Sequence, residues 1–150
     1  MRKATIIVIA AIYVASIVIV GVFGLRALNF EQTVFIKDIE MPETIGGQPV
    51  ETSDNKTYSV TLTYSAGMEV LIDYDKSPRD AQGDIKVTIT TQISYDPQKQ
   101  EDPVAEIDTE QLGCVLKIYQ TGFVIVRFEA TDGNKIYKEL VILIVDKGSN

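Results

Sequence analysis

The densest set of potential ligands in the chain lies in DYDKSPRDAQGD, where Asp73, Asp75, Ser77, Asp80 and Asp84 fall within twelve residues. Hard cations such as calcium take clustered oxygens, so this is the one stretch whose spacing raises a metal. Pro78 stands where a calcium loop requires glycine, and the flanks alternate as strands rather than helices. Asp73 and Asp75 share a face only if the strand runs on through both. The stretch therefore reads as a solvated acidic turn, with Asp73, Asp75, Asp80 and Asp84 as a weak calcium candidate and no cofactor expected.

Other chemistry is narrowed by what is missing. The chain has no histidine, so Ser-His-Asp, Cys-His and His-metal sites are all excluded. Paired carboxylates remain possible for glycoside cleavage, but the 21 acidic residues are scattered over turns and no tryptophan offers a sugar platform. The single cysteine, Cys114, has no intrachain partner, and its inward-facing strand position suits a small core residue better than a reactive thiol. The expectation is a protein that is not an enzyme.

Charge excludes another class. All 21 acids follow Arg26, whereas Arg2, Lys3 and Arg26 take three of the 14 basic residues, leaving the remainder at −10. Those bases are scattered along the sequence rather than clustered, so no nucleic-acid partner is expected.

The elements that carry these residues divide sharply. Ala4 to Leu25, ATIIVIAAIYVASIVIVGVFGL, is 22 residues without a charge. At about 1.5 Å per residue it reaches roughly 33 Å, enough for a hydrocarbon core of about 30 Å. The run is too long for a signal-peptide apolar region, and GVFGLRALNF offers no small-x-small cleavage site. No cysteine follows it, which excludes a lipoprotein. An uncleaved transmembrane helix over 4–25 is expected, with 1–3 as a cytoplasmic leader and 26–32 as a linker. Arg2 and Lys3 before the helix against Arg26 after it keep the N-terminus inside and put the C-terminal domain outside the cytoplasm. Ala11 and Ala15 form a small-xxx-small pair, here read as ordinary lipid-facing alanines.

The rest reads as strands. TVFIKDIEMP, 33–42, is a first strand stopped by Pro42, and Glu43 to Lys56 is an exposed connection rich in Gly, Pro, Ser, Asp and Asn. Val60, Leu62 and Tyr64, then Val70, Ile72 and Tyr74, alternate with period two. Eleven residues from Ile85 to Tyr95 alternate in the same way, long enough to predict a bend or two strands. Short strands follow over Val104 to Ile107, Cys114 to Tyr119, Phe123 to Ala130 and Lys138 to Val145, the last two joined at Asp132-Gly133-Asn134, a strong hairpin signal. Seven or eight strands with no helix between them predict an all-β antiparallel sandwich over 33–147, with 148–150 as a tail.

GMEVLIDYDKSPRDA from Gly67, and above all VAEIDTEQLGCVLKIYQTGFVIVRFEATDGNKIYKELVILIV, resemble bacterial immunoglobulin-like domains of the group 2 type. Gly113, Gly122, Asp132 and Gly133 match that pattern of turns. The tryptophan that many such domains carry in the middle strand is absent, with Ile93 or Tyr95 expected in its space. The resemblance implies an immunoglobulin-like fold and non-catalytic work: a membrane-anchored module of a bacterial cell surface, adhesive or structural, binding a protein or a wall polymer. The alternative is a small accessory subunit of a larger membrane complex such as a secretion or filament apparatus. Pilin-like assembly is disfavoured because Ala4 to Leu25 contains no acid. Partner and oligomeric state are not encoded in these patterns.

Overall fold

A computed structural model describes residues 2–27, 33–108 and 113–148. The chain forms two compact units, Met1–Thr33 and Val34–Asn150. The first holds one helix, α1, Arg2–Ala27. It covers the whole apolar run, as expected from a segment without proline or charge. Among the described residues no helix is long and apolar enough to cross a membrane. The helix is thus present as expected, while the transmembrane span over 4–25 is not supported by the described residues.

The second unit is built of strands: β1 Asp38–Glu40, β2 Thr44–Ile45, β3 Gln48–Pro49, β4 Glu51–Thr52, β5 Thr57–Thr63, β6 Met68–Ile72, β7 Asp75–Ser77, β8 Ile85–Ser94, β9 Ala105–Asp108, β10 Cys114–Ile118, β11 Gly122–Ala130 and β12 Tyr137–Val145. Two principal sheets result, β4-β5-β12-β11-β8 and β6-β10-β9, with two-stranded pairs β1-β7 and β2-β3 beside them. Their inner faces share one core. Val60, Leu62, Val126, Phe128, Leu140 and Ile142 from the larger sheet meet Val70, Ile72, Cys114, Leu116 and Ile118 from the smaller. Period-two alternation is what makes this possible, because each strand offers every second side chain to one side.

Several expectations change in detail. The arrangement is not wholly antiparallel: β12 pairs parallel with β5, from Glu139↔Thr57 to Val145↔Thr63. The first strand is much shorter than 33–42, only β1, paired with β7 from Asp38↔Ser77 to Glu40↔Asp75. The connection 43–56 is not simply exposed. Gly46 and Gly47, both with positive φ, make the two-residue turn of a small β2-β3 hairpin that drives Ile45, 1% exposed, into the core. The last hairpin closes through a longer loop than a tight Asp-Gly turn, with Ala130 N–H donating to the Ile136 carbonyl.

The largest correction concerns β8. It is one strand, but its pairing with β11 passes from Thr91↔Ile125 to Ile89↔Val126, leaving Thr90 as an extra residue. A single inserted residue flips every later side chain to the opposite face. Ile85, Val87 and Ile89 pack on the core, whereas Ile93 and Tyr95 stand 53% and 51% exposed and fill no tryptophan space. The largest fully buried side chain among the described residues is instead Phe128, with the Tyr74 ring edge-on at 4.9 Å. At the end of β11, Gly122 allows three segments to converge: a Cβ there would lie 2.5 Å from the Ile93 carbonyl oxygen and 2.9 Å from Val104.

These contacts rank three substitutions in denaturant unfolding. Phe128→Ala is expected to cost about 3–5 kcal/mol through the cavity it leaves. Gly122→Ala should cost on the order of 2 kcal/mol through forced backbone displacement. Ile93→Ser, on the outer face, should change stability by less than about 0.5 kcal/mol.

Candidate functional site

A cavity of about 550 Å³ opens where the starts of β8 and β10 lie near β7, and its walls include Tyr74, Asp75, Lys76, Asp84, Lys86 and Cys114. Several of its groups are committed or inert. The Lys76 ammonium donates to the Ala81 and Gly83 carbonyls at 2.7 Å each. Asp75 accepts from Arg79 at 2.7 Å. Burial pushes the Cys114 thiol up to about 11, so at neutral pH it is a protonated core group and not a nucleophile. Burial, with the nearby Cys114 and Asp84 adding to it, also raises the Tyr74 phenol.

Of the four acids considered for calcium, Asp75 and Asp84 line this cavity, while Asp73 and Asp80 are exposed on either side of the β7 turn. Asp75 is held by Arg79 and by the Lys76 amide, to which it is hydrogen bonded at 2.8 Å. Among the described residues no three acidic, cysteine or histidine side chains converge as a metal site would need.

The bases that look scattered along the sequence are brought together. Lys37, Lys56, Lys135 and Lys138 line one notch of about 250 Å³, with Asp38, Asn55 and Tyr137. Its positions are fixed by β1, the start of β5, the β11-β12 loop and the start of β12. Lys138, with its side chain only 8% exposed, donates to Asp38 at 2.9 Å and lies 5.1 Å from the Tyr58 ring centre. Burial by itself would lower this ammonium, but hydrogen bonds with Tyr58 and Asp38 outweigh it and leave the group raised. Lys56 sits 5.0 Å above the Tyr137 ring.

A second surface feature is apolar. On the outer face of the larger sheet the register sets Ile93 beside Phe123, Phe123 beside Leu143 and Leu143 beside Thr61, with Ile125 beside Val141 in the next row. Arg127 closes one end of this face, stacked 4.0 Å from Tyr137. Its Nε is buried without a hydrogen-bond partner, since Glu129 and Glu139 approach the guanidinium only to 4.0 and 3.9 Å.

Three polar fasteners were not foreseen. Asp132 accepts from the Ile36 amide at 2.5 Å and the Asn134 side chain donates to the Ile36 carbonyl at 3.0 Å, clipping the N-terminal segment to the last hairpin. Gln120 accepts from Ser94 at 2.8 Å and donates to the Asp102 carbonyl at 2.9 Å, closing the 96–103 loop. Gln92 accepts from the amides of Val104 and Ala105 at 3.0 and 3.2 Å. The only sequence signal for them was a run of turn formers next to isolated glutamines. No protein-family model matches the chain, and no curated protein matches it.

Cys114 and Lys138 both carry folded-state pKa values raised above their ordinary ones, so each adds stability at lower pH that is lost on the alkaline side. For Cys114 the loss runs from about 9 to about 11. The melting temperature should therefore fall progressively above about pH 9, and Cys114→Val should flatten the first part of that fall. A melting curve independent of pH in this range would contradict the assignment.

Proposed function

We propose that the protein is a membrane-tethered, non-catalytic binding module whose β unit has the immunoglobulin-like arrangement. The larger sheet supports this reading through its order, in which β5 runs parallel to the C-terminal strand and β11 and β8 follow it. The smaller sheet supports it through β6-β10-β9. Two sheets of that connectivity are what an immunoglobulin-like sandwich contains. The resemblance of Gly67–Ala81 and of the C-terminal half points the same way.

Tethering rests on α1. Its 22-residue uncharged stretch is the length of a bilayer span. Ile6, Ile7, Ile12, Val14 and Ile17 stand 60–69% exposed along it, and so many exposed aliphatic groups on all sides demand an apolar surrounding. The positive flank at Arg2 and Lys3 orients the N-terminus inward and the β unit outward.

The observation that carries binding over catalysis is the outer sheet face. The Cys114 thiol is buried and protonated, while exposed Ile93 and the half-buried Phe123, Ile125, Val141 and Leu143 lie side by side on the outer face of the larger sheet. Exposed apolar patches with a charged margin are typical of protein contact sites. A protein partner on the cell surface is the reading favoured by that face, and adhesion or structural support is its consequence.

Photocrosslinking in the producing cell tests this. A photoreactive residue at Ile93 is expected to capture a discrete partner, and one at Ile12 within α1 is not. Capture at Ile12 alone would replace the module reading with that of an accessory subunit of a membrane complex. Capture at neither position would overturn the binding role.

A further inference from the structure

The lysine notch concentrates positive charge on an acidic domain. Four of the eleven basic residues beyond Arg26 line it, against one lining acid, in a chain whose net charge is −7. They come from sequence positions 37, 56, 135 and 138, so only folding assembles them. We propose that this notch is an anion site that binds a phosphate group, either free or as the phosphodiester of an anionic lipid headgroup.

The chemistry of the donors selects the ligand. All four cations are lysines, and an ammonium acts as a compact point charge that suits a tetrahedral anion. A planar carboxylate is better matched by the fork of an arginine. Asn55 adds an amide donor to the same wall. The one acid, Asp38, is already engaged with Lys138 at 2.9 Å, and that pair fixes the floor of the notch. Lys37 and Lys135 remain as exposed side chains at its rim. The volume, about 250 Å³, is the share of roughly eight liquid waters, ample for a phosphate that keeps part of its hydration.

Lys135 supplies a second, independent observation. It is the only described non-glycine residue at positive φ, +55°, a conformation that favours glycine or asparagine. Residues held in such conformations cluster at ligand sites. Here the strained backbone directs a lysine to the rim of a basic notch. Around it, Lys138 is balanced by Asp38, whereas Lys56 rests over the Tyr137 ring, which holds the ammonium without a neutralising carboxylate contact. Long polyanions still meet a domain of net −10, whereas a single phosphate senses mainly the local charge.

This inference stands on the notch and does not depend on the tethering or on the apolar face. Its test uses the full isotope-labelled chain in neutral maltoside micelles, observed by backbone amide NMR. Inorganic phosphate is titrated in one arm, and phosphatidylglycerol against phosphatidylcholine in mixed micelles in the other. Saturable shifts confined to amides around 37, 55–56 and 135–138 are expected. They should weaken at least tenfold in Lys37→Gln/Lys135→Asn, in which asparagine keeps the left-handed backbone, with an unchanged melting temperature. Rising salt should weaken them as well. Saturation with inorganic phosphate assigns a free phosphate, and saturation with phosphatidylglycerol alone assigns a headgroup. Shifts that do not saturate in either arm, or that survive the double substitution, would overturn the proposal.

Discussion

The antiparallel ladder between β11 and β12 is the constraint on which the domain depends. It runs in unbroken register from Gly122↔Ile144 to Glu129↔Tyr137. Both strands lie in the middle of the larger sheet, with β8 on one side and β5 on the other. Their inward residues, Val124, Val126, Phe128, Leu140, Ile142 and Ile144, are all inaccessible and supply six of the seventeen described buried residues of the main core. With Cys114 free and no tryptophan, burial of such aliphatic rows must supply the stability that a disulfide gives elsewhere. The hairpin loop then reaches back through Asp132 and Asn134 to hold both backbone groups of Ile36, so the entry of the chain into the domain is tied to its last turn.

The same hairpin organises the surface. Its outward residues Phe123, Ile125, Val141 and Leu143 make the apolar face, and its loop and the start of β12 contribute Lys135 and Lys138 to the basic notch. Two surface features of opposite character are therefore built on one supersecondary unit. Between them stands Tyr137, contacted by Lys56 and by Arg127. An aromatic ring shared by two cations keeps positive charge close to an apolar surface without neutralising it.

Strand positions were legible in the sequence wherever one face is buried. Val60 and Leu62, Val70 and Ile72, and the long alternation in β12 each declare a face, because slipping the register by one residue would expose them. What was not legible came from interactions with no local signature. The bulge at Thr90 inverts β8 from within an unbroken pattern, so Ile93 and Tyr95 look inward by counting and face outward in the fold. The parallel partnership of β5 and β12 joins residues more than eighty positions apart. The notch was invisible for the same reason: Lys37, Lys56 and Lys135 are far apart in sequence, and charge clustering along a chain says little about clustering in space. The acidic turn at 73–84 shows the converse, since proximity in sequence did not produce convergence of carboxylates among the described residues.

The central proposal is that α1 holds the β unit outside the cytoplasm. Single cysteines introduced at Lys3 and at exposed Lys99, in a Cys114→Ala background, measure it directly with a membrane-impermeant maleimide on spheroplasts. The account predicts labelling at position 99 in intact spheroplasts and at position 3 only after permeabilisation. Labelling in the reverse order, or recovery of the chain in the soluble fraction after lysis, would contradict it.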